Sequence, residues 1–218
     1  LTGIELKGEK AGLVPSKHWK KKVKNEPWYP GETISASIGQ GYNLVTPLQS
    51  AMMISTIASG GLLMRPYLVK RIENPDGKLI QEFFPEVEKN IEIDPEVLKH
   101  IKEGLRGVVY DARGTGHRAR LKNIIVSGKT GTAQVVSMKD SEEIDPEEET
   151  PYSHRDHAWF VAFAPYENPE VAVSVIVEHG GHGGHTAAPI AGKILKTYFS
   201  HYPPSKTIEL DKDKIEVN

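Results

Sequence analysis

Two apolar segments near the end of the chain leave little freedom of fold. Ala158-Trp-Phe-Val-Ala-Phe-Ala-Pro165 and Val171-Ala-Val-Ser-Val-Ile-Val-Glu178 are rich in β-branched and aromatic residues, which suit strands. Only Tyr166-Glu-Asn-Pro-Glu170 joins them. A parallel return needs a crossover of roughly a dozen residues or more, so these two strands must pair antiparallel. A third strand candidate, Ile124–Val136, comes before them. The acidic stretch from Asp140 to Thr150 separates it from the pair and reads as an exposed loop.

Helical period appears earlier. Thr46-Pro-Leu-Gln49 offers a capping threonine, a proline suited to the first helical position and a glutamine placed to bond back. Leu48, Met52, Met53 and Ile57 follow at helical spacing. The methionines read as core filler, and Gly60-Gly61 ends the helix. Asp94-Pro-Glu96 opens a second helix striped by Val97, Leu98, Ile101, Leu105 and Val108. A last helix carries Ile190, Ile194, Leu195 and Tyr198 on its expected apolar face. Tyr67–Glu73 and Lys78–Phe84 flank the turn sequence Asn74-Pro-Asp-Gly77 and predict a β-hairpin. Residues 1–32 read as polar loop, with the basic run from Lys17 to Lys24 as a solvated surface. The residues beyond Pro204 read as a frayed tail.

Composition narrows the function. With 218 residues, 38% of them hydrophobic, the chain can bury a real core in one domain. A net charge of −2 argues against a nucleic-acid protein. Cysteine is absent, so there is no disulfide framework, thiolate metal site or thiol nucleophile. No apolar run reaches the ~18–20 residues of a membrane span. The chain opens on Leu1 with no signal-peptide pattern, which raises the expectation of a piece of a longer protein.

The segment Val126-Ser-Gly-Lys-Thr-Gly-Thr-Ala-Gln-Val-Val136 contains Gly-Lys-Thr, the ending of a phosphate-binding loop. Such a loop needs a second glycine where this chain has Asn123, and a helix where it has strand sequence. A nucleotide site is therefore set aside. On a strand, side chains alternate, so Lys129 and Gly131 share one face and Thr130 and Thr132 the other. An ammonium beside a position without a side chain makes an open, positive groove. A peptide can lie along such a strand, pairing by main-chain hydrogen bonds. The plainer alternative is a solvated lysine on an edge strand with a glycine bulge, and three residues alone do not decide between them.

Longer stretches do. Lys129-Thr-Gly-Thr-Ala-Gln134 resembles the third signature of the penicillin-recognising serine enzymes. Gly39-Gln-Gly-Tyr-Asn-Leu-Val-Thr-Pro-Leu-Gln49 resembles the segment that class B penicillin-binding proteins carry upstream of it. The stretches 157–165 and 171–181 resemble the two strands that follow it. Leu1-Thr-Gly-Ile-Glu-Leu6 and Pro27-Trp-Tyr-Pro-Gly-Glu-Thr33 are most similar to the elongation-type branch. The match keeps its order to about residue 200.

This resemblance implies an α+β fold: an antiparallel sheet flanked by helices, with three of the family's five strands in this chain. Residues 1–218 are then the C-terminal part of one transpeptidase domain. The implied activity is cross-linking of peptidoglycan. A serine attacks the D-Ala-D-Ala end of a stem peptide, and the acyl group passes to an amine of a neighbouring stem. β-Lactams acylate the same serine. The implied partners are the stem peptide, β-lactams, proteins of the cell-elongation machinery, and an N-terminal half or another chain covering the sheet edges. No nucleic acid, cofactor or metal is implied. The place of action is the extracytoplasmic, periplasmic face of the bacterial inner membrane, with an anchor in a segment this chain does not carry.

One departure is serious. The family needs Ser-x-x-Lys for its nucleophile and Ser-x-Asn for proton transfer. No serine here has lysine three positions on or asparagine two positions on. Family order places both motifs before Leu1, so this chain by itself is expected to be inactive. A penicillin-binding sensor domain and a non-catalytic interaction fragment are the alternatives.

The resemblance also implies roles. Lys129 supplies positive charge. Thr130 and Thr132 bind the substrate carboxylate, with Thr132 favoured on the expectation that a twist or bulge near Gly131 brings it round. The Thr132 amide is one half of an oxyanion hole, and Gly131 allows close approach. His179, His182 and His185, spaced among glycines, read as a turn before the last helix in preference to a metal set. His157 is expected to take a hydrogen bond where its strand begins. Gly39-Gln-Gly41 is read as holding the helix at Thr46. Arg113-Gly-Thr-Gly-His117 is weighed as a lining of the cleft.

Overall fold

The computed structural model of the chain describes residues 1–135 and 151–205. The acidic stretch at 140–150 and the tail beyond Ser205 lie outside them. Two compact units are present: Leu1–Gln49 with Met64–Lys89, and Ser50–Leu63 with the described residues from Asn90 on.

The first unit contains structure where loop was expected: helices α1 (Lys17–Lys24) and α2 (Pro30–Ser37). Ser16 caps α1 by accepting from the Trp19 N–H at 3.1 Å. The basic run is not wholly solvated, because Lys20 is only 1% exposed. Its ammonium bonds to the Glu32 carboxylate, lies 3.4 Å from Glu26 and sits 4.4 Å from the centre of the Tyr29 ring. Burial opposes the charge on Lys20, but the hydrogen bonds to Glu32 and Glu26 outweigh it and raise its pKa. Bonds from Lys20 and from the Tyr29 N–H hold the Glu32 carboxyl below its ordinary range. The same Glu32 oxygen pair thus caps α2 through Tyr29 at 2.7 Å and anchors α1 through Lys20.

The hairpin forms as β2 (Arg71–Glu73) and β3 (Leu79–Glu82), shorter than the sequence suggested. Asn74 makes its turn, with its side-chain oxygen accepting from the Lys78 N–H at 2.7 Å. β1 (Leu62–Met64) and β4 (Val87–Asn90) were not foreseen, being too short to show a period.

Helix α3 (Pro47–Ala58) begins as predicted. The Thr46 N–H donates to Gln49 Oε1 at 2.9 Å, and the Gln49 N–H to Thr46 Oγ1 at 3.2 Å, a reciprocal cap. Its buried face differs from the expected one. Ser50, Ile54, Thr56 and Ala58 turn inward, and Met53 is 54% exposed. Thr56 is tolerated inside because its hydroxyl donates to the Met52 carbonyl at 2.8 Å.

In the second unit, α4 (Pro95–Tyr110) starts at Asp94, whose carboxylate accepts from the N–H groups of Glu96 and Val97. Val97 and Ile101 of its expected stripe are exposed, whereas Val109 is fully buried. Arg120 closes the other end, donating to the carbonyls of Val109 at 2.7 Å and Tyr110 at 2.9 Å. These carbonyls have no partner within the helix.

The sheet is β5 (Ser127–Ala133), β6 (His157–Ala164) and β7 (Val171–Val177), in that order and antiparallel throughout. Strand β6 is central and sends Ala158, Phe160 and Ala162 to one face and Val161 and Phe163 to the other. The first face packs on Val109, Ala119 and helix α5 (Ala187–His201). The second packs on Ile54 and Ala58 of α3. This is the expected α+β arrangement, an antiparallel sheet with helices on both sides.

Helix α5 presents a different face from the predicted one. Ala187, Ala188, Ala191, Leu195 and Phe199 are buried, while Ile190, Ile194 and Tyr198 are exposed, Ile194 at 45%. Leu195 of the expected face is buried as predicted. Close approach decides the rest: a Cβ on Gly192 would lie 3.1 Å from the Ala119 Cα, so small residues are favoured where the helix meets Ala119.

Candidate active site

Strand β5 forms an edge of the sheet and carries all four residues singled out in the sequence. Its register with β6 runs unbroken from Ser127↔Phe163 to Ala133↔His157. The register shows no bulge at Gly131. Two contacts hold the strand regular there. Gly131 pairs with Trp159, and a Cβ on Gly131 would come within 3.0 Å of the Trp159 Cβ. From the loop after β7, Gly183 packs so close that a Cβ on it would lie 2.5 Å from the Gly131 carbonyl oxygen.

Thr130 and Thr132 line a cleft of about 520 Å³. Its other walls come from two loops. Thr115, His117 and Arg118 stand on the loop after α4, and His182 and His185 on the Gly/His loop before α5. The 113–117 segment therefore does line the cleft. Thr115 was weighed only as part of that segment; its contact with Thr130, hydroxyl to hydroxyl at 2.8 Å, was not foreseen. Arg118 ties the two loops together by donating to the His185 carbonyl at 3.2 Å.

Lys129 is exposed and lies outside this cleft. Its ammonium donates to the carbonyl of Thr130 at 2.6 Å. The site residues thus divide by strand alternation. Thr130 and Thr132 line the cleft and Lys129 does not.

The histidines of these loops fall into two places. The His179 N–H donates to His157 Nδ1 at 2.9 Å, so His157 does take a hydrogen bond where β6 begins. His179 in turn donates from its own Nδ1 to the Arg155 carbonyl at 3.0 Å. His182 and His185 belong to the cleft wall. Thr186 fixes the turn by donating its hydroxyl proton to the Gly180 carbonyl at 2.7 Å. Among the described residues, no group of three His, Asp or Glu is placed to hold a metal ion.

Comparison with known proteins places this geometry. Residues 1–196 match the penicillin binding protein transpeptidase domain. The peptidoglycan D,D-transpeptidase MrdA of Haemophilus influenzae is 39% identical over 211 residues, covering 93% of this chain and 31% of that protein. The chain therefore spans about a third of the length of that relative. Among solved structures, Pseudomonas aeruginosa PBP2 in complex with WCK 5153 superposes with a TM-score of 0.71 at 35% identity, over 95% of this chain and 42% of that one. PBP2 of Helicobacter pylori, solved in complex with MreC, gives a TM-score of 0.71 at 32% identity, over 92% and 34%. In fold, in sequence order and in the strand that carries Lys-Thr-Gly, the chain belongs to the penicillin-binding protein transpeptidase family.

Proposed function

We propose that this chain is the C-terminal part of a transpeptidase domain, residues 1–218, in a protein that cross-links peptidoglycan outside the cytoplasm and is acylated by β-lactams. The observation that carries the reading is the union of motif and place. Lys129-Thr-Gly-Thr132 lies on an edge strand, and its two threonines line a cleft.

In this reading a serine from the preceding part of the domain attacks the carbonyl that joins the two D-alanines of a stem peptide. The bond to the terminal D-alanine breaks. Its amino group takes the proton given up by the serine, and D-alanine leaves. The amine of a neighbouring stem then attacks the serine ester, forms the cross-link amide and returns a proton to the serine oxygen. Lys129 contributes positive charge that favours the deprotonated serine and draws in the substrate carboxylate. The Thr130 and Thr132 hydroxyls donate to that carboxylate. The Thr132 amide steadies the oxyanion, and Gly131 leaves room for the peptide along β5.

The partners follow from the same reading. They are stem peptides ending in D-Ala-D-Ala, β-lactams, and the elongation machinery, since the H. pylori relative was solved with MreC. The nucleophile-bearing part of the domain is a further partner, covering the β7 edge of the sheet and leaving the β5 edge to the peptide. Action on the periplasmic side, with a membrane anchor upstream, completes the proposal. Among the described residues no helix is long and apolar enough to cross a membrane.

The test is labelling of the full-length protein with a fluorescent penicillin, alongside release of D-alanine from a D-Ala-D-Ala stem peptide. Labelling with turnover is the expected result. Labelling without turnover would replace the enzyme by a sensor, and no labelling would end the reading.

A further inference from the structure

The hydrogen bond between Thr115 and Thr130 has no part in the roles assigned above. We propose that Thr115 is a positioning residue for the Thr130 hydroxyl, and that it thereby sets the site's preference for ligands ending in a carboxylate. The inference rests on the reading of this cleft as the site for D-Ala-D-Ala peptides and β-lactams.

A hydroxyl has one proton and two lone pairs. In the 2.8 Å contact between Thr115 Oγ1 and Thr130 Oγ1, one proton makes the bond and the other is left over. When Thr115 donates, Thr130 keeps its proton for the cleft. When Thr130 donates, it turns only lone pairs to the cleft, and those repel a carboxylate. A bound carboxylate therefore selects the first arrangement. A hydroxyl that accepts one bond is also a stronger donor in the next.

The surroundings fix both partners. The Thr115 loop is pinned to the end of α4 by Gly114 N–H to the Asp111 carbonyl at 2.9 Å and Gly116 N–H to the Val108 carbonyl at 2.8 Å. His117 Nε2 adds a third tie, to the Asp111 carbonyl at 2.6 Å. On the other side, Gly184 lies against both residues. A Cβ there would strike the Thr115 carbonyl and lie 3.6 Å from the Thr130 methyl. Thr115 thus cannot drift from Thr130, and its hydroxyl acts as a fixed anchor for a rotor.

The test uses the full-length protein as wild type, Thr115→Val and Thr115→Ser. Second-order acylation rates are measured with benzylpenicillin and with its methyl ester, in which the carboxylate is masked, and thermal midpoints are recorded. Valine keeps the shape and removes the donor, so its rate with benzylpenicillin should fall roughly tenfold, the worth of one charge-assisted hydrogen bond weakened. Serine should restore the wild-type rate, and all three proteins should acylate equally with the ester. The proposal is overturned if Thr115→Val matches wild type on benzylpenicillin. It is equally overturned if the loss is the same on both probes, or if serine does not rescue. A wild type that reacts with neither probe brings down the transpeptidase reading and this one with it. That result is distinct from a reactive wild type matched by the valine variant.

Discussion

Gly183 lies flat against Gly131, backbone on backbone, with no room for a methyl group on Gly183. A Cβ at Gly183 would clash with the Trp159 carbonyl and sit 2.5 Å from the Gly131 carbonyl oxygen. Both obstacles are main-chain atoms of paired strands, which cannot swing aside as a side chain does. Gly183→Ala should therefore push the loop off β5 and cost roughly 1–3 kcal/mol. A urea unfolding curve checks this. A midpoint unchanged from wild type would show that the loop does not bear on the strand.

Lys129 and Thr132 should fail differently when removed. On the proposed roles, Lys129→Ala in the full-length protein removes the charge assigned to stabilising the reacting state, and acylation should slow by about 10²–10³. Thr132→Val keeps the amide and removes one hydroxyl proposed to contact the ligand, so the loss should be nearer tenfold. Stopped-flow acylation by a β-lactam gives both rates. Equal effects would count against the division of roles.

The Lys20–Glu32 pair predicts how the first unit responds to pH. The Glu32 carboxyl is held below its ordinary value near 4.5, so the unfolded chain binds a proton more readily than the folded one. The stabilisation is complete above that value and drains away as pH falls through the lower, folded value. Lys20 is raised above its ordinary value near 10.5. Its contribution is present below that value and is lost as pH rises through the folded one. Between neutrality and pH 3, the stability gap between wild type and Glu32→Gln should narrow. A gap that stays constant with acidification would mean that the ion pair adds nothing.

What the sequence revealed and what it hid follow from distance along the chain. The α3 cap was readable because Thr46 and Gln49 are three residues apart and bond each other. The β6–β7 pairing was readable because Tyr166–Glu170 permits only one return. Lys20 looked like any other lysine of a basic run. Its burial depends on Glu32 and Tyr29, which lie beyond the end of its own helix. The α5 face was misjudged because hydrophobicity ranks Ile190 and Ile194 above Ala187 and Ala191. The fit against Ala119 rewards small volume over apolar area. At the site, the alternation of Lys129 and Thr130 was plain from strand geometry. The Thr115 contact was not, because its fifteen-residue separation from Thr130 leaves no local pattern.

The split of Lys129 from Thr130 and Thr132 across β5 has a geometric consequence. Side chains on opposite sides of a ribbon meet only at its unpaired margin. A molecule that touches the cation and the hydroxyls together must straddle that margin, wrapped around the strand instead of resting on either broad surface.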